Sequence, residues 1–434
     1  MRVSTSVGVI GAGYVGLTSA VCLAANGVDT VCIDTDRRRV AELAAGYAAI
    51  DEPGINDLLT AGLADGTLRV SGDYGTLADR DVVFVCVPTP TGDDGGADLS
   101  AVERVIGRLA GTMAPGSVVA VKSTVPAGTC RRIGATLAAR GIQVVANPEF
   151  LREGFAVEDF QHPDRVVIGA DEGQRAAADR VAQLYAGGCA TILVMSPESA
   201  ELAKYASNAF LAVKLSFVNS LAQLSSRVDA DIADIARCMG ADPRIGPHFL
   251  RPGPGWGGSC LPKDSAALVC TGRAHGVELR EIESARRTNA AQVQRIAAIL
   301  GRQTGRPPAE LKVAVLGLTF KAGTSDIRDS PAIAVCAGLQ RIGAQVTAYD
   351  PRLAAIDTAR LPTAVADDPY VAAKDADAIV VLTEWPDFAA LDWDAIARCA
   401  APGAVVLDTR NIVDRGAVGG ARLAWLGNGT PGGY

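Results

Sequence analysis

Residues 7–34 read VGVIGAGYVGLTSAVCLAANGVDTVCID, and their order decides the fold. A β-branched run from Val7 to Ile10 leads into Gly11, Gly13 and Gly16. A helical stretch of small apolar residues follows, then a second β-branched run that ends on Asp34. Each part of this G-x-G-x-x-G pattern has a physical reason. Gly11 allows the tight turn out of the strand, Gly13 lets a pyrophosphate approach the backbone, and Gly16 permits close packing of helix on strand, with Tyr14 and Val15 in the helix end that faces the phosphates. Asp34 stands 23 residues after Gly11, where a carboxylate accepts the hydroxyls of an adenosine ribose and repels a 2′-phosphate. The stretch predicts a doubly wound α/β domain that binds NAD in preference to NADP.

The pattern continues outward. DVVFVCVPTPT (81–91) and GSVVAVKSTVPAGT (116–129) read as further buried strands, and the loops at their carboxyl ends place Thr89 and Thr124 on the ligand side of such a sheet or in local turns. Near the C-terminus, LKVAVLGLTFKAGTSDIRDSPAIAVCAGLQRIGAQVTAYDP (311–351) repeats strand, glycine turn, helix, strand and terminal acid, here Asp350. The loop after Gly317 is some ten residues longer and carries Phe320, Lys321, Asp326 and Arg328. A cationic loop in place of the phosphate turn points to a phosphate-bearing ligand other than a dinucleotide; the bland alternative is a solvated charged loop.

Between the two halves, SPESAELAKYASNAFLAVKLSFVNSLAQLSSRV (196–228) reads as one long helix, with Ser196 as N-cap, Pro197 in its first turn and Glu198 at its positive end. Lys204 and Asn208 are i, i+4 neighbours on a face that Leu211 and Leu215 continue into apolar territory. Such a lysine snorkels to an edge unless an anion or a reacting oxygen sits opposite it. The predicted fold is α/β, with two Rossmann-like doubly wound domains (1–195 and 308–428) joined by a long central helix and a helical middle domain (196–300) that serves as a subunit interface. The tail LGNGTPGGY (426–434) reads as disordered.

Bulk properties are those of a soluble chain: 434 residues, 49% hydrophobic, 21% charged, with a net charge of −7 that argues against non-specific nucleic-acid binding. The start lacks the n-region, h-region and cleavage site of a signal peptide, and no uncharged run has the roughly 18 apolar residues of a membrane span. A cytoplasmic protein is expected. Ten scattered cysteines without a C-x-x-C pair, beside three histidines, fit neither a metal site nor a disulfide framework. Most cysteines lie in apolar segments and read as buried. Cys260 is the expected exception: GGSCLPKD (257–264) sets it between Gly257-Gly258 and Lys263-Asp264, with Pro262 where a helix begins. There the helix dipole and Lys263 favour a thiolate, which Asp264 opposes.

A dinucleotide site implies hydride transfer, a second phosphate site a phosphorylated substrate, and an activated cysteine a covalent step at carbonyl level. Lys204 and Asn208 then suit an alkoxide or tetrahedral oxyanion, and Asp264 a proton or a water. With GAGYVG (11–16), VPTP (87–90), KSTVPAGT (122–129), NPEFLREG (147–154), ELAKYASNAFLAVK (201–214), DPRIG (242–246), GGSCLPKD, GLTFKAGTSDIRDSP (317–331) and DTRN (408–411) in this order, the chain resembles the nucleotide-sugar 6-dehydrogenases over nearly its whole length.

That resemblance implies a four-electron oxidation of a sugar C6 alcohol to a carboxylate with NAD, through a thiohemiacetal and a thioester on Cys260. It implies UDP-glucose as the leading substrate and UDP-glucuronate as product, with dTDP-glucose or GDP-mannose as alternatives, and a homodimer without metal, membrane or nucleic acid. Glu149 resembles the acid/base of thioester hydrolysis and Thr124 a residue positioning the water; Thr89, Glu153, Lys263 and Arg328 resemble cofactor contacts. On the sugar-nucleotide side stand Glu149, Phe150, Leu151, Arg152, Lys204, Asn208, Gly257, Phe320, Lys321 and Arg410. Phe249, Leu250, Arg251 and Gly253 resemble the loop along the nucleotide, and Arg244 the arginine that reaches a neighbouring subunit's substrate. Trp256 stands where a smaller Phe or Tyr is expected, which predicts a differently shaped nucleotide loop. A two-electron β-hydroxyacid-type dehydrogenase accounts for 1–230 but leaves Cys260 and 311–434 idle, and a non-catalytic NAD-sensing scaffold makes the cysteine loop mere structure.

Overall fold

Buried β-branched runs form the strands. In the first sheet these are β1 (Val7–Ile10), β2 (Thr30–Ile33), β3 (Leu68–Ser71), β4 (Val82–Val85), β5 (Val118–Val121), β6 (Gln143–Ala146), β7 (Val166–Gly169) and β8 (Ile192–Met195), in the order β3-β2-β1-β4-β5-β6-β7-β8. Pairing is parallel except where β7 meets β6 at Ala146 and Gly169. Alternate residues of each strand feed two apolar cores: Val82 and Phe84 pack on one face, Val83 and Val85 on the other. Burial on both faces is why these strands read as continuous apolar runs in the sequence.

The structure is a computed structural model that describes residues 5–185, 187–188, 191–414, 417–418 and 422–425; Cys189 and the tail 426–434 lie outside them. The chain divides into two compact units, Met1–Ser207 with Ala266–Ala274, and Asn208–Ser265 with His275–Tyr434. The second unit holds β9 (Lys312–Leu316), β10 (Gln345–Tyr349), β11 (Ala364–Val365), β12 (Ala378–Val381), β13 (Val405–Asp408) and β14 (Arg422–Trp425), in the order β11-β10-β9-β12-β13-β14. Counted from its own first strand, this is the 3-2-1-4-5-6 winding that opens the first sheet. The glycine turns match as well: Gly11 N donates to Ile33 O and Gly317 N to Tyr349 O, both at 2.8 Å.

The long helix runs Pro197–Ser225. Ser196 caps it, its Oγ accepting from Ser199 N at 3.2 Å. It stops three residues short of the expected end because Arg227 and Val228 donate to carbonyls only three residues back and Asp229 turns left-handed at φ 54. No helix among the described residues is long and apolar enough to cross a membrane.

Candidate active site

Parallel strands of the first unit bring their carboxyl ends to one edge, and the loops there hold the first group of expected residues. Gly11 has φ 97, and a Cβ on it would stand 2.7 Å from Cys86 O; a Cβ on Gly16 would lie 1.8 Å from Gly11 O, whereas one on Gly13 would meet nothing within 4 Å. The first and third glycines are thus fixed by the protein itself, while the second faces open space, as a pyrophosphate requires. Asp34 Oδ2 accepts from Ala12 N at 2.8 Å, Oδ1 from Asp36 N at 2.9 Å, and Arg39 Nη1 pairs with Oδ2 at 3.1 Å. Burial opposes ionisation, but the two amides and the guanidinium outweigh it and hold the Asp34 carboxyl below its ordinary range.

Tyr14 opens the helix Tyr14–Ala25, but its hydroxyl is turned inward. It donates to Glu52 and accepts from Gly154 N at 2.6 Å. Burial and the Glu52 carboxylate push this hydroxyl far above its usual range. Glu52 also accepts from Gly154 N at 2.8 Å and Val157 N at 3.2 Å, so it ties the dinucleotide turn to the loop that follows Asn147.

That loop carries Glu149, which is 8% exposed. Its Oε1 accepts from Lys204 Nζ at 3.0 Å and its Oε2 from Leu151 N at 2.6 Å. The anion opposite Lys204 is therefore a protein carboxylate. Burial raises the Glu149 pKa, but Lys204, the Leu151 amide and Lys122 prevail and hold it below its ordinary range. Thr89 Oγ1 donates to Thr124 O at 2.9 Å, which joins the two threonine loops. Two cations lie over the Phe150 ring, with Arg165 3.8 Å and Lys204 5.3 Å from its centre. Glu153 is half-buried, and Arg152 faces solvent in an ion pair with Asp159 at 2.5 Å.

The second unit gathers a second group. Cys260 directly precedes the helix Leu261–Ala274, is half-buried, and accepts Asp264 N on its carbonyl at 3.0 Å. Asn208 Nδ2 donates to Asp264 Oδ2 at 2.6 Å, and Lys263 Nζ donates to Asp264 Oδ1 at 2.6 Å. The Lys263 charge is paired with Asp264, the residue expected to oppose the thiolate. Gly257 lies under Asp329, where a Cβ would come within 2.0 Å of the carbonyl, and Gly258, at φ 79, lies 2.8 Å in the same sense from the Phe320 ring. Gly258 N donates to Arg328 O at 3.1 Å. The cysteine loop is glycine-rich because it is pressed against the loop 317–331.

Arg410 joins this group: Nε donates to Leu382 O at 2.8 Å and Nη2 to Phe320 O at 3.3 Å, and Gly253 leaves room for its guanidinium. Lys321 is half-buried, with Nζ 5.7 Å from the Phe320 ring centre. Arg328 and Arg244 are exposed and paired with Asp326 and Asp242. Phe249 and Arg251 are exposed, and Leu250 is buried at 2%. Trp256 ends the same stretch. It is buried, its Nε1 donates to Ser216 Oγ at 2.8 Å, and Asn289 clamps its backbone N and O at 2.8 and 2.9 Å, so its bulk is absorbed by the protein. Exposure does not single out Cys260 either: Cys238 is exposed, and Cys270 and Cys399 are half-buried. Burial pushes the thiols of Cys22, Cys86 and Cys336 up to about 12.

Asp350, the counterpart of Asp34, is closed off. Its carboxylate accepts from Leu318 N at 2.7 Å, Thr319 N at 3.1 Å, Arg352 N at 2.8 Å and the Trp385 indole at 3.4 Å.

Residues 5–187, 198–291 and 314–415 match the NAD binding, central and UDP binding domains of the UDP-glucose/GDP-mannose dehydrogenase family. The chain belongs to that family. This dehydrogenase is 43% identical to a UDP-glucose 6-dehydrogenase of Rhizobium meliloti over 96% of its own length and 98% of the relative's. It is 41% identical to one of Pseudomonas aeruginosa over 96% and 95% of the two chains. Among solved structures, a UDP-glucose dehydrogenase from Pyrobaculum islandicum superposes with a TM-score of 0.88 at 34% identity, covering 99% of each chain. The dehydrogenase is an NAD-dependent oxidoreductase of nucleotide sugars, and its first unit fits that cofactor in the open face of Gly13 and the position of Asp34. Sequence reasoning missed Arg39, Glu52 and the Lys204–Glu149 pair. The basic run RRR (37–39) was the one available signal for Arg39, and only helix geometry selects which of its members turns back to Asp34.

Proposed function

We propose that the dehydrogenase oxidises the C6 alcohol of UDP-glucose to the carboxylate of UDP-glucuronate, consuming two NAD⁺ in turn. The observation that carries this reading is the helix Pro197–Ser225, which holds Lys204 on one carboxylate and Asn208, one turn on, on another; the second of these, Asp264, lies in the first turn of the helix that Cys260 precedes. Cofactor, when bound, accepts a hydride in each oxidation. Asp264, directly or through a water, takes the alcohol's proton, and Lys204 and Asn208 present an ammonium and an amide to the resulting alkoxide and to the oxyanion formed when the Cys260 sulfur adds to the aldehyde. Loss of hydride from that thiohemiacetal leaves a thioester. Thr124 holds the water that cleaves it, Glu149 takes the water's proton, and the acid and the free thiol are released. Phe320, Lys321 and Arg410 hold the nucleotide of the sugar, and Arg328 contacts the cofactor.

UDP is favoured by the UDP binding domain that residues 314–415 match and by the relatives' names. A homodimer is supported by an apolar stripe on the long helix: Phe210, Phe217 and Leu224 recur at seven-residue spacing and are 64%, 53% and 55% exposed. Exhausting limiting UDP-glucose should yield about two NADH per molecule, whereas a β-hydroxyacid-type reaction yields one. The same count with dTDP-glucose, GDP-mannose and UDP-N-acetylmannosamine ranks the nucleotide and the sugar.

A further inference from the structure

Lys122 directly follows β5 and is 4% exposed, yet among the described residues no carboxylate stands within ion-pair distance of it. Its Nζ donates to Tyr185 OH at 2.9 Å and to Asn147 Oδ1 at 3.3 Å. Tyr185 OH donates to the same Asn147 oxygen at 2.7 Å, and Asn147 Nδ2 is anchored on Val167 O at 2.9 Å. Three rings surround the ammonium, with the centres of Tyr185, Phe84 and Phe160 at 5.3, 5.7 and 6.0 Å.

We propose that Lys122 is a positioning residue for the reaction: it fixes the turn from Asn147 to Glu149 and lends that turn's buried carboxylate a second positive charge. The inference rests on the reading of Glu149 as the base of thioester hydrolysis. A buried ammonium whose hydrogen-bond partners are all neutral is a poor choice for packing alone, because an apolar side chain of similar length fills the same space without a desolvation penalty. Aromatic faces offset part of that penalty and exclude water, so the charge acts at longer range than it would at a surface. Asn147 is the mechanical link, since it is held at both ends of its amide and stands two residues before Glu149. The charged and titratable groups that face Glu149 are Lys204 from the long helix, Lys122 from the end of β5 and the Cys86 thiol from the end of β4. Lys204 pairs with it directly, and Lys122 adds a second positive charge.

The test is the dependence of kcat on pH, together with NAD binding and thermal melting, for the full chain and its Lys122→Met, Lys122→Gln, Lys122→Arg and Glu149→Gln variants. Lys122→Met and Lys122→Gln should move the acid limb of the profile up by about one pH unit, leave NAD affinity unchanged and cost little melting temperature. Lys122→Arg should return the limb toward its original place, and Glu149→Gln should abolish it. If Lys122→Met fails to fold, Lys122→Gln, which keeps a polar group for Tyr185 and Asn147, carries the same expectation. Neutral variants whose profile superimposes on that of the unsubstituted protein, or which lose melting temperature and activity together with no shift of the limb, overturn the inference alone. An acid limb that survives Glu149→Gln overturns the earlier reading of Glu149, whatever Lys122 does.

Discussion

Lys204 and Glu149 form an ion pair of 3.0 Å with side chains only 4% and 7% exposed. Removing one member leaves the other charge buried, so Lys204→Met should destabilise the fold by about 3–5 kcal/mol, whereas Lys204→Met with Glu149→Leu should come close to neutral. Because the folded Glu149 carboxyl titrates below its ordinary range, the pair's contribution is complete above the unfolded value of about 4.3 and is lost as pH falls through the lower folded value. Urea unfolding of the single variant beside the unsubstituted chain, at pH 7 and at about pH 3, should show a stability gap that shrinks in acid.

Asp34 predicts the cofactor preference, and Arg39 predicts how it can be altered. Asp34→Ala should weaken NAD by about 10- to 100-fold, the worth of one or two charged hydrogen bonds, and narrow the gap to NADP. In that background the freed Arg39 guanidinium should take up the 2′-phosphate, so adding Arg39→Ala should remove the gain. Nucleotide titrations followed by protein fluorescence decide both points; an unsubstituted protein that binds NAD and NADP equally would contradict the placing of the ribose.

Gly258 is constrained twice, by φ 79 and by the Phe320 ring. Gly258→Ala should cost about 1–3 kcal/mol in urea unfolding and reduce turnover by displacing the cysteine. Adding Phe320→Ala should recover the steric part and leave the backbone part, and full recovery would mean that the left-handed turn carries no strain.

Cys260→Ser keeps a small polar group but replaces the thiolate with a far poorer nucleophile, and any ester it forms hydrolyses more slowly than a thioester. This variant should bind both ligands, turn over little, and stall as a covalent adduct or at the aldehyde. Intact-protein mass and carbonyl trapping report the two outcomes; near-normal release of acid would reduce the loop to structure.

Local chemistry made the fold legible. Gly11, Gly16 and Asp34 announce themselves because a turn, a close approach and a strand end each demand one residue type at a set spacing, and Ser196-Pro197 marks a helix start for the same reason. The pairing of Lys204 with Glu149 was not readable, since 55 residues and a change of element separate them. That Leu250 and Trp256 are buried was not readable either, because a loop's sequence does not say which of its side chains turn inward. Lys122 passed unnoticed as the end of an apolar strand: its meaning depends on Tyr185 and Asn147, which only the sheet brings together.

The Trp385 indole on Asp350 has a consequence for stoichiometry. Two sheets share one winding, yet among the described residues it is Asp350 and not Asp34 that carries such a seal, so an NADH titration should saturate at one equivalent per chain rather than two. If turnover consumes two NAD⁺, they occupy the same seat in succession. Spent cofactor must then leave and fresh cofactor enter while the half-oxidised sugar stays in place, and a tether to sulfur at that interval would keep it there.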